Sequence, residues 1–141
     1  KGCLEMYASA SGILRLAEGL DDPQGRERLL SRLGIQINRL TVAQLYEAAR
    51  EGDIFSNVLF KKMGRYLGIG IASLVNVLGV ENVVLGGGVA QAWDFFIEPV
   101  KKEIGERTYR ETARRIRLYP AKLGDNAGLI GAARAVFSRK S

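Results

Sequence analysis

Apolar residues recur with a helical period over much of the first half of the chain. The spacing predicts helices over residues 7–19, 24–33 and 41–51, the last of which opens on a threonine suited to an N-cap. Gly34 and Gly52 follow the second and third of these segments, and glycine commonly ends a helix.

A fourth, longer helix is predicted over residues 53–78, with an aspartate as its N-cap. Its apolar face becomes nearly continuous after Tyr66, so we expect the second half to be deeply buried. Gly64, Gly68 and Ala72 stand four positions apart and line one stripe. Because each glycine costs a helix up to about 1 kcal/mol relative to alanine, we expect this stripe to pack closely against another helix or another subunit.

The rest of the chain predicts the order strand, helix, strand, helix. The Val-rich run at residues 82–85 predicts a buried strand, and alternating residues at 115–121 predict a second one. The intervening helix contains Pro99, which should shift its start or kink it, and residues 124–137 predict the last helix. This order favours an α/β fold, rich in helix, with a small parallel sheet.

The stretch VVLGGGVAQ, residues 83–91, places three consecutive glycines, Gly86, Gly87 and Gly88, between a strand and a helix. A loop at this point offers amide groups and the positive end of the helix dipole to an anion. A Walker loop does not fit, because no lysine follows the glycines, and a dinucleotide fingerprint fails at Gln91. The residues alone therefore leave an anion-binding loop and a plain turn equally well supported.

Composition narrows the classes of protein. The 141 residues are 47% hydrophobic and carry a net charge of +6, which predicts one folded domain. Glutamates at 103, 106 and 111 interrupt the basic residues between 101 and 117, as on a solvated helix face, so nucleic-acid binding is a secondary interpretation. The longest apolar run is shorter than a membrane span of roughly 18 residues, and no signal peptide is apparent. We expect a cytoplasmic protein without a membrane anchor.

Five blocks, in order along essentially the whole chain, resemble the ROK family of bacterial sugar kinases, such as glucokinases, and sugar-responsive repressors. They are GCLEMYAS at residues 2–9, GD at 52–53, LGIGIASLVNVLGVENVVLGGGVAQ at 67–91, EP at 98–99 and LGDNAGLIGAA at 123–133. The resemblance implies an actin-like, ribonuclease-H-like ATPase fold whose two α/β lobes close over a hexose-type sugar and ATP with Mg²⁺. The remaining strands of the small sheet would lie upstream.

The resemblance also implies roles for individual residues. Such kinases hold a structural zinc with the motif Cys-x-Cys-Gly-x-x-Gly-Cys-x-Glu and an upstream histidine. Cys3 matches the last zinc cysteine of that motif, and Glu5 matches the carboxylate that contacts the sugar. Gly86, Gly87 and Gly88 match the glycine loop on the ATP side of the cleft. The other zinc cysteines and any histidine are absent from the sequence, so we expect Cys3 to bind no zinc here.

Two catalytic elements of the family are missing from the sequence. It contains neither the Asp-x-Gly-Gly-Thr phosphate loop nor the Asn-Asp pair whose aspartate is the general base. Phosphoryl transfer depends on positioning and charge stabilisation. We therefore expect residues 1–141 to be a single domain, the C-terminal portion of a ROK-type hexose kinase cut within the zinc motif, homodimeric and inactive alone.

Two alternatives stay open. The chain could be a fragment of a ROK repressor, which would contact nucleic acid through an N-terminal helix-turn-helix domain. It could instead be an oligomerisation module built on the stripe of small residues.

Five further residues are assigned structural rather than functional roles. Asp125 is predicted to be an N-cap, and Trp93, Phe95 and Phe96 are predicted to be core or interface aromatics. Asp94 is interpreted as an exposed acid rather than a base.

Overall fold

The computed structural model describes residues 3–138, and these residues form seven α-helices and a two-stranded sheet. The helices are α1 (Ala10–Gly19), α2 (Pro23–Leu33), α3 (Val42–Arg50), α4 (Ile54–Leu78), α5 (Trp93–Arg107), α6 (Arg110–Arg115) and α7 (Ala127–Ser138). The strands are β1 (Asn82–Leu85) and β2 (Arg117–Pro120). Short 3₁₀ turns occupy Leu4–Met6, Ile37–Arg39, Ala90–Ala92 and Gly124–Asn126. The predicted helix-rich α/β class is confirmed.

Capping residues set the helix boundaries. The Ser9 hydroxyl oxygen accepts a hydrogen bond of 3.0 Å from the Gly12 amide, so α1 begins after the predicted residue 7. Thr41 and Gln44 form a reciprocal capping box that begins α3 as predicted. Glycines in the left-handed conformation end α2 and α4. Helix α5 runs through Pro99, so the proline does not shift its start.

Helices α4 and α5 run side by side in the same direction and form the closest contact of the fold. A Cβ atom added to Gly64 would lie 2.5 Å from the Phe96 carbonyl oxygen, and one added to Gly68 would lie 2.8 Å from that of Val100. Ala72, one turn further, is buried as well. The close packing expected of the stripe is confirmed, and its partner is a helix of the same chain.

The hydrophobic core lies where α1, α2 and α3 pack against α4 and α5. The Phe95 ring lies 6.0 Å from that of Tyr46 and 5.8 Å from that of Phe60, and the Trp93 ring lies 5.9 Å from that of Phe96. The predicted core role of these aromatic residues is confirmed. The largest fully buried apolar side chains are Phe55, Phe60, Phe96, Ile13, Leu29, Leu45, Leu59, Met63, Val75 and Val100.

The two strands pair in parallel, with Asn82 opposite Arg117 and Leu85 opposite Pro120. The parallel arrangement is confirmed, but the prediction that β1 is buried is wrong. Val84 on that strand is 64% exposed. Among the described residues, only one face of β1 is partly covered, because the sheet has no further strands or helices over its other face.

The second half of α4 is also more exposed than its apolar sequence predicts. Leu74, Val77 and Leu78 are 54%, 82% and 64% exposed. The prediction of deep burial is wrong for this face, because α5 covers only the side that carries the small residues. Within residues 3–138, no helix combines the length and hydropathy needed to cross a membrane.

Candidate functional site

The glycine loop, Gly86 to Gly88, follows the carboxyl end of β1 and leads through a 3₁₀ turn into α5. Gly87 adopts a φ of +94°, a conformation that side chains other than glycine disfavour. Its carbonyl oxygen accepts a hydrogen bond of 2.9 Å from the Ala90 amide, which closes a tight turn. The loop therefore contains the tight turn of one interpretation of the sequence and precedes the helix start that the anion-binding interpretation requires.

Backbone groups of the loop are available to a ligand. Among the residues that the structure describes, no protein acceptor receives a hydrogen bond from the amides of Gly87, Gly88 or Val89. Consecutive unpaired amides at the end of a parallel strand are a common arrangement for holding phosphate oxygens. Asp94, exposed in the first turn of α5 as predicted, is the acidic residue of that turn.

A shallow pocket of about 170 Å³ opens between the loop and the segment that follows β2. A Cβ atom at Gly88 would meet no atom within 4 Å, and one at Gly86 would approach only the Cβ of Ala121, at 3.1 Å. The three glycines of the loop therefore present only backbone to the pocket. Because small-molecule pockets usually measure roughly 300–1,000 Å³, this pocket can enclose only part of a nucleotide. Its lining residues are Gly86, Gly87, Gly88, Ala90, Gln91, Pro120, Ala121 and Gly124.

Glu5 lies in the 3₁₀ turn Leu4–Met6 and is exposed. The turn rests on α4, where the Leu4 side chain occupies the space beside Gly70 that a Cβ atom would need. The Glu5 carboxylate makes no hydrogen bond or ion pair with any other described residue, although its backbone carbonyl accepts one. The carboxylate is therefore accessible to a ligand while its backbone is held.

Within residues 3–138, the two predicted parts of the site are held at different places along α4. Glu5 lies beside the middle of α4, whereas the glycine loop precedes α5, whose first turns contact Phe60 and Gly64 near the beginning of α4. No hydrogen bond among residues 3–138 joins Glu5 to the loop. The described residues therefore form two half-sites rather than a closed cleft.

The zinc ligand set implied by the resemblance is not present among the described residues. Cys3 is a free, exposed thiol. Residues 3–138 contain no cluster of three or more His, Cys, Asp or Glu side chains that could hold a metal ion. Structural zinc requires four ligands, so these residues do not fit a zinc site. The side chain of Asp125 lies outside the described part of the structure, and its capping role stays a prediction.

One buried carboxylate was missed by the sequence analysis. Glu103, assigned to a solvated helix face, is only 5% exposed. It accepts hydrogen bonds of 2.7 Å from Arg65 Nε and 2.6 Å from Arg107 Nε. The hydrogen bond from Arg107, aided by that from Arg65, holds the pKa of Glu103 below its usual value although burial opposes this. The spacing of four residues to Arg107 was visible in the sequence, but the partnership with Arg65 was not.

A larger concavity on the described surface is unrelated to the predicted site. It has a volume of about 770 Å³ and lies between α2 and the loop that follows that helix. Arg26 at its edge already donates a hydrogen bond of 2.6 Å to the Glu18 carbonyl oxygen. None of the predicted site residues lines it.

Comparison with known proteins identifies relatives of two kinds. The model of the ROK family matches residues 1–139. A glucokinase from Halalkalibacterium halodurans is 36% identical over 134 residues, which cover 92% of this chain and 39% of the glucokinase. A xylose repressor from Caldicellulosiruptor bescii is 26% identical over 137 residues, which cover 97% of this chain and 34% of the repressor.

The fold has a similar counterpart among solved structures. A ROK family glucokinase from Streptomyces griseus, in complex with glucose and AMPPNP, matches with a TM-score of 0.82 and 28% identity, covering 96% of this chain and 44% of that protein. The chain thus spans less than half the length of each of these relatives. The expected actin-like ATPase fold is confirmed. With a family match over nearly its full length and a relative at 36% identity, the chain belongs to the ROK family.

Proposed function

We propose that this chain is the nucleotide-loop portion of an ATP-dependent kinase for a glucose-like hexose. Gly86, Gly87 and Gly88 would hold the phosphates of ATP, and Glu5 would contact the sugar. The observation that carries the proposal is the glycine loop, whose glycines present only backbone to the pocket and whose amides have no acceptor among the described residues. The glucose and AMPPNP bound by the Streptomyces griseus relative support both ligands.

The chemistry of the loop suits phosphate better than a neutral ligand. Phosphate oxygens would accept hydrogen bonds from the loop amides, and the N-terminus of α5 adds a favourable dipole. Mg²⁺ bound to ATP would lower the charge on the phosphates. Residues 3–138 contain no cluster of ligands for a metal, so we propose that Mg²⁺ enters with the nucleotide. A structural zinc, if the full protein holds one, takes its remaining ligands from outside these residues.

We also propose that residues 1–141 form one domain that does not phosphorylate sugar alone. Glu5 and the glycine loop are not joined within the chain, and broad apolar surfaces are left uncovered. On α7, for example, Leu129 is 73% exposed and Phe137 is 74% exposed. Surfaces of this kind are typical of contacts with another part of a protein or another subunit. The complete enzyme would act in the cytoplasm as a homodimer.

Nucleotide binding is tested by the thermal shift that AMPPNP induces in this chain. Gly88→Leu should abolish the shift, because Gly88 lines the loop pocket and a leucine there adds bulk beside it. An added Cβ atom at this position meets no protein atom within 4 Å, so we expect the fold to tolerate the change. Gly105→Leu is the matched control, an exposed helical glycine with no neighbour, and should keep the shift. The proposal fails if wild-type protein shows no shift at saturating AMPPNP, or if Gly88→Leu retains it.

Sugar phosphorylation is tested with glucose and ATP. We expect no product from residues 1–141, and product from the protein encoded by the full reading frame. Robust phosphorylation by the chain alone would contradict its proposed dependence on further residues. The absence of activity from the full protein would contradict the kinase assignment itself.

A sugar-sensing repressor is the second candidate, favoured by the likeness to the xylose repressor of Caldicellulosiruptor bescii. The residues encoded upstream of Lys1 distinguish the two. An Asp-x-Gly-Gly-Thr loop there would indicate a kinase, and a basic helix-turn-helix would indicate a repressor. The oligomerisation module loses its main support, because α5 already covers Gly64 and Gly68.

A further inference from the structure

The short turn that carries Glu5 is fastened to α4 on one side. Within the turn, the Tyr7 amide donates a hydrogen bond of 3.0 Å to the Leu4 carbonyl oxygen. The Tyr7 ring lies 4.7 Å from the ring of Tyr66 on α4. The Leu4 side chain lies over Gly70, where an added Cβ atom would come within 2.6 Å of it. Both ends of the turn are therefore held against the same helix.

On its other side the turn is tied to α1 by the Ser9 hydroxyl group, and Arg15 of α1 also contacts the Met6 sulfur. The Ser9 Oγ donates a hydrogen bond of 2.6 Å to the carbonyl oxygen of Glu5, and accepts one of 3.0 Å from the Gly12 amide. The same atom thus caps α1 and fixes the backbone of Glu5. Gly12 allows this approach, since a Cβ atom there would lie 3.1 Å from the Glu5 carbonyl oxygen and 2.9 Å from the carbonyl carbon of Tyr7.

We propose that Ser9 is a positioning residue for sugar binding, acting through the backbone of Glu5. The inference rests on the proposed contact between Glu5 and the sugar. The Glu5 carboxylate is exposed and has no protein partner among the described residues, so its place is set by its backbone. Precise placement of a binding group depends on such supporting hydrogen bonds, and a displacement of about 1 Å can cost roughly 100-fold.

Two substitutions separate the tie to Glu5 from the cap of α1. Ser9→Asp keeps an acceptor for the Gly12 amide, since aspartate caps helices as well as serine does, but it has no proton to donate to the Glu5 carbonyl. Ser9→Thr keeps both functions. Ala10→Asp places the same charge at the same helix end, on an exposed residue next to Ser9, and serves as the control for charge. Ser11 is not used for this purpose, because its hydroxyl lies 3.1 Å from the Ser9 Oγ, within hydrogen-bond distance.

The first measurement is amide hydrogen exchange in this chain. In Ser9→Asp, the amides of Met6, Tyr7 and Ala8 should exchange faster, while the amides of α1 keep their protection. Ser9→Thr and Ala10→Asp should resemble wild type. Unchanged exchange at these three amides in Ser9→Asp would show that the hydroxyl does not hold the turn. This result would overturn the proposal whatever the measured affinity for glucose.

The second measurement is the affinity for glucose, by calorimetry, of the protein encoded by the full reading frame. Ser9→Asp should weaken glucose binding by roughly 10- to 100-fold and leave AMPPNP binding unchanged, with both controls within about twofold of wild type. If Glu5→Gln weakens binding but Ser9→Asp does not, the positioning role is wrong and the proposed function stands. If Glu5→Gln has no effect, or glucose does not bind, the contact between Glu5 and the sugar is wrong and the positioning role falls with it.

Discussion

The Glu103 carboxylate accepts a hydrogen bond of 2.7 Å from Arg65, and this contact joins α5 to α4 across their buried seam. The two helices approach closely here, since a Cβ atom added to Gly68 would lie only 2.8 Å from the Cβ of Glu103. Arg107, one turn later on α5, donates to the other carboxylate oxygen. The two guanidinium groups stay partly exposed, with 65% and 44% of the side chain accessible. The buried carboxylate is thus paired twice while its partners reach solvent.

Glu103→Gln should lower the free energy of unfolding by about 1–3 kcal/mol. The change removes charged hydrogen bonds at a buried site, but both arginines can turn to solvent, which keeps the loss below that of a fully buried ion pair. Urea denaturation at neutral pH measures it. Glu106→Gln is the control, because Glu106 is exposed and lies 3.9 Å from Lys102, and should change stability by less than about 0.5 kcal/mol. Equal effects of the two changes would contradict the role assigned to Glu103.

The same carboxylate makes stability depend on pH in the acid range. Hydrogen bonds from Arg107 and Arg65 hold the pKa of Glu103 in the folded protein below its usual value of 4.5, so the unfolded chain takes up this proton first as pH falls. The stabilisation by Glu103 is therefore fully present above that usual value and is lost as pH falls through the folded pKa.

The measurement compares wild type with Glu103→Gln in urea from about pH 7 to about pH 3. The difference in the free energy of unfolding should be constant at the upper end and shrink below the usual pKa of 4.5. Because the other carboxyl groups are the same in both proteins, their contributions to the free energy of unfolding cancel in this difference. A gap that widens on acidification would show that the shift has the opposite sign.

Gly64→Ala should destabilise the fold, although alanine is the better helix former. The added Cβ atom would lie 2.5 Å from the backbone carbonyl oxygen of Phe96, so α4 and α5 must separate, at a cost of about 1–3 kcal/mol. Gly105→Ala is the matched control, since this helical glycine has no atom within 4 Å of its added Cβ, and it should stabilise by up to about 1 kcal/mol. Thermal unfolding of the two variants should shift in opposite directions. A stabilised Gly64→Ala protein would mean that the helices are not in this contact.

Features decided by neighbouring residues could be predicted from the sequence. The start of α3 follows from Thr41 and Gln44, three residues apart, and the glycine loop follows from its place between a strand and a helix. Pairing in parallel follows from the order of the elements. The first two depend on hydrogen bonds or chain connections that span only a few residues, and the third depends on the helical connection between β1 and β2.

Features decided by distant partners could not be predicted. The burial of Glu103 depends on Arg65, 38 residues earlier, and a helical pattern of charges looks the same whether or not such a partner is present. The separation of Glu5 from the glycine loop likewise depends on where the turn Leu4–Met6 and helix α5 contact α4. Apolar periodicity shows which side chains favour burial, but it does not identify the element that covers them, and this is why the exposure of Val77 was missed.

Val75 and Val77 offer a test of whether the uncovered face of α4 is covered in a longer protein. Both belong to the same helix, but Val75 is 1% exposed and Val77 is 82% exposed in this chain. In residues 1–141, Val75→Ala should cost about 2 kcal/mol from lost burial and a residual cavity, and Val77→Ala less than about 0.5 kcal/mol.

If this chain is a portion of a kinase, as proposed, Val77→Ala should change the free energy of unfolding by a different amount in the protein encoded by the full reading frame. If another segment covers this face, Val77→Ala should cost more than about 1 kcal/mol there, while the cost of Val75→Ala should stay the same. Urea denaturation of the four variants and the two wild-type proteins gives the comparison, and an unchanged cost of Val75→Ala shows that the local fold is the same in both contexts. An equally small cost of Val77→Ala in both contexts would mean that the end of α4 faces solvent in the complete protein as well.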